Sequence, residues 1–234
     1  MPSSSQPESL GSRMIWRFRK EVLSGIPIMD RSNKSKSMFR SFAPADLITL
    51  GNASCGMATI FLCLRYVSGQ PGPHFWMVFL LLPLALVCDI LDGFVARRLS
   101  RHSPWGLDLD SLADIISFGV APAVLGFTLG MQGFWDTLIL IYFVVCGISR
   151  LARFNVTAAT LADQTGKVKY YEGTPIPTGI IIVAVLGIAY WQGCVDTHIL
   201  FGQVRLGPWF LHPFALLYAV SGSAMISSLR IPKP

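Results

Sequence analysis

Carboxylates are concentrated in one short part of this chain. Of its 13 acidic residues, five lie between positions 89 and 114: Asp89, Asp92, Asp108, Asp110 and Asp114. Asp89 and Asp92 are three residues apart, so they share one face of a helix. Asp110 and Asp114 are four apart and share a face in the same way, whereas Asp108 faces elsewhere as a solvated or supporting acid. The connection 98–106 is short, which makes the two helices antiparallel neighbours whose acidic faces can meet.

Carboxylates that converge away from water repel one another strongly. Proton uptake, basic partners or divalent cations can relieve this repulsion. Hard oxygen ligands from two helices suit Mg²⁺ or Mn²⁺, with one or two ions between them, and such ions can clamp a phosphate during a displacement reaction. The alternative is a proton or sodium relay in a transporter, for which paired intramembrane acids are also typical.

The residues beside the first acidic pair help to separate these two interpretations. Gly93 and Ala96 lie on the same helix face as that pair, and they leave room for a flat ligand to approach the backbone. Arg97, one turn after Gly93, can reach a phosphate with a fork of donors. A transporter has no evident need for small residues and an arginine in this register, so the window favours a ligand that contains phosphate.

Taken together, the window has eight characteristic residues at fixed spacing. It reads Asp89-x-x-Asp92-Gly93-x-x-Ala96-Arg97, then eight residues, then Gly106-x-x-x-Asp110-x-x-x-Asp114. This resembles, without a mismatch, the D-x-x-D-G-x-x-A-R-x(8)-G-x(3)-D-x(3)-D signature of the CDP-alcohol phosphotransferases. Members of that family are six-helix integral membrane enzymes, commonly homodimers. They move a phosphatidyl or related group from a CDP-linked donor to an alcohol and release CMP.

The resemblance implies a role for each of these positions. Divalent metal, Mg²⁺ or Mn²⁺, would be held by four aspartates: Asp89, Asp92, Asp110 and Asp114. The CDP group would be seated by six residues: Asp92, Gly93, Ala96, Arg97, Gly106 and Asp110. Asp114 would in addition be the base that takes the proton of the acceptor hydroxyl.

Two further segments bear on the identity of the acceptor. Residues 147–156 read GISRLARFNV, and residues 171–178 read YEGTPIPT. Both resemble the phosphatidylserine synthases, and with the closing SLRIPKP of residues 228–234 the similarity is greatest to the fungal enzymes. The resemblance implies CDP-diacylglycerol and L-serine as substrates and phosphatidylserine and CMP as products. Inositol, glycerol phosphate or choline as acceptor is the alternative within the family.

Arg150 and Arg153 are the basic residues best suited to the acceptor. They are three residues apart, on one face at the end of the fourth apolar stretch. A serine acceptor brings a carboxylate, and two phosphates stand nearby, so paired guanidinium forks are suited to this place. A single terminal arginine would be interpreted as an anchor to lipid headgroups, but the pair favours a serine or phosphate site.

Composition defines the elements that must position these residues. Hydrophobic residues make up 52% of the 234, and charged residues only 14%, which argues against a soluble enzyme, a disordered chain or a coiled coil. The chain contains six apolar stretches: 46–67, 74–98, 108–130, 134–154, 175–195 and 207–227. The predicted fold is therefore an all-α polytopic membrane protein with six transmembrane helices.

The distribution of basic residues predicts the orientation in the membrane. With six spans, 17 of the 19 Lys and Arg residues fall on the side of the two termini, and only Arg65 and Arg205 on the other. Both termini and the acidic site are then cytoplasmic. The similarity to fungal enzymes implies the endoplasmic reticulum membrane. The net charge of +6 suits an anionic lipid surface, and nucleic acid is not expected as a partner.

The chain divides into two parts of different character. Residues 1–42 are polar and basic, whereas residues 43–234 form the predicted six-helix membrane domain. Within the first part, Ser12 to Leu23 has apolar residues on one helical face and basic residues around the other. This pattern indicates either a helix in the headgroup layer or a short helix that covers the protein itself.

Overall fold

Four long apolar helices dominate the fold. The computed structural model describes residues 43–70, 72, 74–99, 105–162, 170–172, 174–195, 202–206, 208–227 and 230–232. Within these residues, four segments are long and apolar enough to cross a membrane: Pro44–Val67, Phe75–Arg98, Gly106–Thr128 and Phe134–Thr157. They coincide with the first four predicted stretches, and the all-α membrane architecture is confirmed.

Helix α1 (Pro44–Val67) packs along helix α2 (Val78–Leu99), which follows a short 3₁₀ turn at Phe75–Met77. Proline suits the first turn of α1 because its φ is already helical and its missing N–H has no partner to lose there. Asp46 closes this turn, since its carboxylate accepts a 2.8 Å hydrogen bond from the Ala43 N–H. The buried side of α1 includes several polar residues at helical spacing: Asp46, Thr49, Asn52 and Thr59.

The third membrane segment lies at the centre of the bundle. It runs without a break through α3 (Gly106–Asp114), a π-helical turn (Ile115–Val120) and α4 (Ala121–Thr128). Of its most apolar 18 residues 61% are buried, against 22–28% in the other three long segments. The π-helical turn begins directly after Asp114. Turns of this kind are often found at functional sites.

Helix α5 (Phe134–Ala162) is longer than the predicted stretch 134–154. No glycine or proline follows Gly147 before the helix ends, so nothing in the sequence stops it at the predicted boundary. Arg150 and Arg153 therefore lie within the helix and not at its end, which corrects the sequence-based placement.

The last two apolar stretches form shorter helices than predicted. A 3₁₀ turn (Ile176–Gly179) leads into α6 (Ile180–Trp191), and α7 is confined to Ala215–Ile226. The stretch 207–227 is not one helix, because Trp209–Leu211 is a β-strand. Pro213 accounts for the late start of α7, since proline and the residue before it disfavour a helix interior. The count of six membrane spans remains a prediction.

Two small antiparallel strand pairs, which the sequence does not predict, tie the ends of the helices together. Strands β2 (Val204–Leu206) and β3 (Trp209–Leu211) form a hairpin, while β1 (Tyr170–Glu172) pairs with β4 (Arg230–Pro232). The hairpin is fastened to α5, because buried Asp136 accepts a 2.8 Å bond from the His212 N–H and lies 2.6 Å from its Nδ1. His212 is thus structural, as its place outside the motif suggests.

Some predictions concern parts of the chain outside the described residues. These include the helix at Ser12–Leu23, the polar segment 1–42 and the basic residues Arg101, Lys167, Lys169 and Lys233. The N-terminal helix and the division of the chain at residue 42 therefore remain predictions.

Candidate active site

One cavity collects the residues of the acidic window. Its volume is about 460 Å³, and it lies between the first turns of α1, the second half of α2 and the start of α3. Seven of the eight signature residues line it: Asp89, Asp92, Gly93, Ala96, Arg97, Gly106 and Asp110. The signature residues of α2 and α3, which are joined by a short connection, thus line one cavity, as the antiparallel arrangement predicts.

Three carboxylates converge at this cavity. Asp89, Asp92 and Asp110 each offer an oxygen, and these oxygens lie within 4.8 Å of one another. Asp92 is buried, while the other two are half-buried, so the group is shielded from water on one side and open to the cavity on the other. Three hard oxygen ligands at this spacing, from two helices, fit Mg²⁺ or Mn²⁺. The residues present therefore suit the divalent metal that the signature implies.

Asp114, the eighth signature residue, lies behind the other three. It is buried, and it lies one helical turn after Asp110 on α3. One of its oxygens, Oδ1, accepts a 3.2 Å hydrogen bond from Nδ2 of Asn52 on α1. Asp114 itself does not line the cavity.

Helix α1 supplies polar residues that the sequence analysis missed. Thr49 Oγ1 donates a 2.6 Å hydrogen bond to Oδ2 of Asp92, and Asn52 holds Asp114. Asp46 and Ala45 line the cavity beside Thr49. The signal that could have found them is the presence of polar residues three apart in an apolar stretch, because such residues usually face the interior of the bundle.

The small residues of the signature leave space in the cavity beside the backbone of α2. A Cβ placed on Gly93 would meet nothing closer than Arg97 Nη1, at 3.6 Å, so the space beside Gly93 is open to a ligand. Arg97 is exposed at the edge of the cavity, one turn after Gly93. The guanidinium of Arg97, the acidic cluster and the exposed backbone at Gly93 thus surround the same cavity.

The structure places Arg150 and Arg153 near this site but not in the cavity lining. Both are half-buried on α5. Two residues beyond Arg153, Asn155 accepts a 3.0 Å hydrogen bond at Oδ1 from Ser111, the neighbour of Asp110. The arginine-bearing part of α5 is therefore held against the acidic helix α3. Asp108, on that same helix, is exposed, as its position outside the signature suggests.

The part of the sequence that forms this cavity matches a known protein family. A sequence model of the CDP-alcohol phosphatidyltransferase family matches residues 42–218 of the 234. The chain belongs to this family. The match extends from the start of α1 into α7 and so includes every residue of the cavity.

Several relatives of this CDP-alcohol phosphatidyltransferase share one name. It is 44% identical over 212 residues to a CDP-diacylglycerol–serine O-phosphatidyltransferase of Saccharomyces cerevisiae, covering 85% of this chain and 73% of that protein. A protein of that name from Methanocaldococcus jannaschii is 40% identical over 66% of this chain and 63% of its own length. Another, from Bacillus subtilis, is 31% identical over 62% of this chain and 75% of its own length.

Proposed function

We propose that this protein transfers the phosphatidyl group from CDP-diacylglycerol to L-serine, yielding phosphatidylserine and CMP. The observation that carries the proposal is the cavity in which seven signature residues meet. The choice of serine is supported by the relatives, because the yeast protein, at 44% identity, is named for this transfer.

The donor binds where the acidic cluster faces open backbone. Gly93, Ala96 and Gly106 leave space for the CDP group, and Arg97 contacts its phosphates with two parallel donors. Asp92 and Asp110 contribute to the same surface. The diacylglycerol chains remain in the bilayer.

Asp89, Asp92 and Asp110 would hold one or two divalent cations, Mg²⁺ or Mn²⁺, with Asp114 completing the set. The chemistry that a bound cation would supply is positive charge, which would neutralise the pyrophosphate and the charge that develops on CMP. The aspartates themselves keep the donor in register between α2 and α3. The convergence of three carboxylate oxygens within 4.8 Å supports this assignment.

Asp114 acts as the general base. It accepts the proton of the serine hydroxyl while the serine oxygen forms a bond to the phosphorus that bears diacylglycerol. The bond between that phosphorus and the CMP oxygen breaks, and its electron pair leaves with CMP. No covalent enzyme intermediate is needed. The hydrogen bond from Asn52 supports this role, because it restricts the orientation of the Asp114 carboxylate.

Arg150 and Arg153 bind the serine carboxylate or the adjoining phosphate. Their helix is held to α3 beside Asp110, which supports a position close to the reacting groups. An arginine fork matches a carboxylate with two parallel hydrogen bonds, so it suits an amino-acid acceptor better than an uncharged alcohol.

The orientation in the membrane follows from the distribution of charge, while the choice of membrane and the oligomeric state follow from the similarity to fungal enzymes of this family. The protein lies in the endoplasmic reticulum membrane, both termini and the active site face the cytoplasm, and the enzyme is a homodimer. The excess of basic residues on the side of the termini supports the orientation.

A panel of acceptors tests this function. Purified protein is supplied with CDP-diacylglycerol, Mg²⁺ or Mn²⁺ and labelled serine, inositol, glycerol phosphate or choline, and CMP and labelled lipid are measured. We expect CMP release to depend on serine and on the metal. Turnover with another alcohol but not with serine would show that serine is not the acceptor. An ion-coupled transporter would release no CMP with any acceptor.

A further inference from the structure

Two residues of α1 contact two different carboxylates of the site. Thr49 reaches Asp92 and Asn52 reaches Asp114, at 2.6 Å and 3.2 Å respectively. Because they are three residues apart, they lie on one face of α1, which is packed against both acidic helices. We infer that Thr49 and Asn52 are positioning residues with separate tasks: Thr49 orients a metal-binding carboxylate, and Asn52 orients the base.

Thr49 has a choice of acceptors, and its geometry favours the carboxylate. Its hydroxyl lies 3.1 Å from the Ala45 carbonyl, one turn earlier, but only 2.6 Å from Asp92 Oδ2. Hydrogen bonds to ionised acceptors are shorter and stronger than those to neutral ones. By holding Oδ2, this bond restricts the orientation of the whole Asp92 carboxylate, including Oδ1. Outer contacts of this kind orient metal ligands and set metal affinity.

Asn52 is entirely buried, and its environment argues against a purely stabilising role. Its Nδ2 donates to Asp114, while its Oδ1 has no hydrogen-bond partner among the described residues. A buried amide oxygen without a partner costs free energy, so an apolar side chain of similar size would be the more stable choice for packing alone. The hydrogen bond to Asp114 explains why a polar amide occupies this buried position. It restricts the rotation of the carboxylate that accepts the substrate proton.

The same helix offers a matched control. Thr59 is also entirely buried on this face, but its hydroxyl has no partner in the part of the chain that the structure describes. It lies seven residues beyond Asn52, away from the carboxylates. Thr59→Val therefore removes a buried hydroxyl without touching the site, whereas Thr49→Val removes one that holds Asp92.

The first test measures metal binding without turnover. Purified Thr49→Val, Thr49→Ser, Thr59→Val and the unaltered protein are titrated with Mn²⁺ alone, and free Mn²⁺ is read by electron paramagnetic resonance. We expect Thr49→Val to weaken Mn²⁺ binding about 10-fold or more. Thr49→Ser keeps the hydroxyl and should restore affinity, and Thr59→Val should bind as the unaltered protein does. Unchanged affinity in Thr49→Val would overturn its role.

The second test separates binding from chemistry at Asn52, and it rests on the proposed function. Asn52→Leu keeps the size of the side chain but cannot donate to Asp114. We expect kcat to fall about 10- to 100-fold, with the KM for CDP-diacylglycerol unchanged and a smaller loss of Mn²⁺ affinity than in Thr49→Val. If Asn52→Leu does not fold, Asn52→Ala, which leaves a gap in place of the amide, is used in the same assays.

The outcomes distinguish this inference from the proposed function. A parallel loss of kcat, donor binding and thermal stability in the Asn52 variants would indicate a structural residue and overturn its positioning role, as would unchanged kcat. Turnover with an alcohol other than serine changes the acceptor but leaves both expectations in force. Absence of CMP release by the unaltered protein would refute the proposed function and the task of Asn52 with it, while the Mn²⁺ titration would still judge Thr49.

Discussion

Gly56 of α1 packs directly against the π-helical turn of the central segment. A Cβ at this position would lie 2.8 Å from the Cα of Ser117 and 2.5 Å from its Oγ, whereas ordinary contacts begin at 3.4 Å. Ser117 belongs to the π-helical turn after Asp114, and its Oγ donates a 2.9 Å hydrogen bond to the Asn52 carbonyl. Gly56→Ala therefore pushes α1 away from the segment that carries the base.

The size of the effect follows from these distances. The backbone contact must widen from 2.8 Å to at least 3.4 Å, and an overpacked site of this kind costs about 1–3 kcal/mol of stability. The same displacement at Asn52 would lengthen its bond to Asp114 from 3.2 Å to about 3.8 Å, which is beyond hydrogen-bonding range. A lost bond to a charged group is worth about 1.5–3 kcal/mol, or roughly 10- to 150-fold in rate.

The assay compares Gly56→Ala with Gly51→Ala. Gly51 lies on the same helix, but a Cβ there would meet only Cys88 Sγ, at 3.9 Å. Thermal unfolding and the kcat of CMP release are measured for both variants in the same detergent. We expect Gly56→Ala to lose stability and activity and Gly51→Ala to retain both. Equal behaviour of the two variants would refute the close packing of α1 on the π-helical turn.

Three further perturbations address the base, the topology and the acceptor. Asp114→Asn should abolish turnover but keep CDP-diacylglycerol binding, as measured by equilibrium binding, because an amide retains the shape but cannot take the proton; substantial turnover would remove Asp114 from the role of base. In a cysteine-free background, impermeant reagent should label Gly166→Cys only from the cytoplasm and Gln132→Cys only from the lumen, and labelling of both from one side would contradict six spans. Arg150→Lys and Arg153→Lys should raise the KM for serine or impair donor binding, because lysine lacks the two-pronged fork. Unchanged constants in both lysine variants would indicate lipid anchors.

Local spacing was sufficient to predict the acidic site. The helix period alone places Asp89 and Asp92 on one face and Asp110 and Asp114 on another, and a short connection brings the two helices together. The cavity confirms this meeting of α2 and α3. Hydropathy was likewise sufficient for the four long helices, because burial in a membrane demands a long apolar run whatever the neighbours are.

Hydropathy was not sufficient for the last apolar stretch. A sum over residues 207–227 cannot distinguish a helix from a strand followed by a helix, since both can be equally apolar. The backbone restriction at Pro213 and the hydrogen bonds of His212 to Asp136 decide that α7 begins only at Ala215. The sequence carried the proline, but its effect depends on a hairpin that pairs with α5 only in the folded chain.

By itself, the sequence determined the membrane class, the family and the eight residues of the signature, because each depends on composition or on spacing along one short window. Only the tertiary structure decided how the carboxylates are held. The contacts of Thr49 with Asp92 and of Asn52 with Asp114 join residues 43 and 62 positions apart. No local periodicity connects such distant residues. Their meeting depends on how closely α1 packs on α2 and on the central segment, which is a property of the whole bundle.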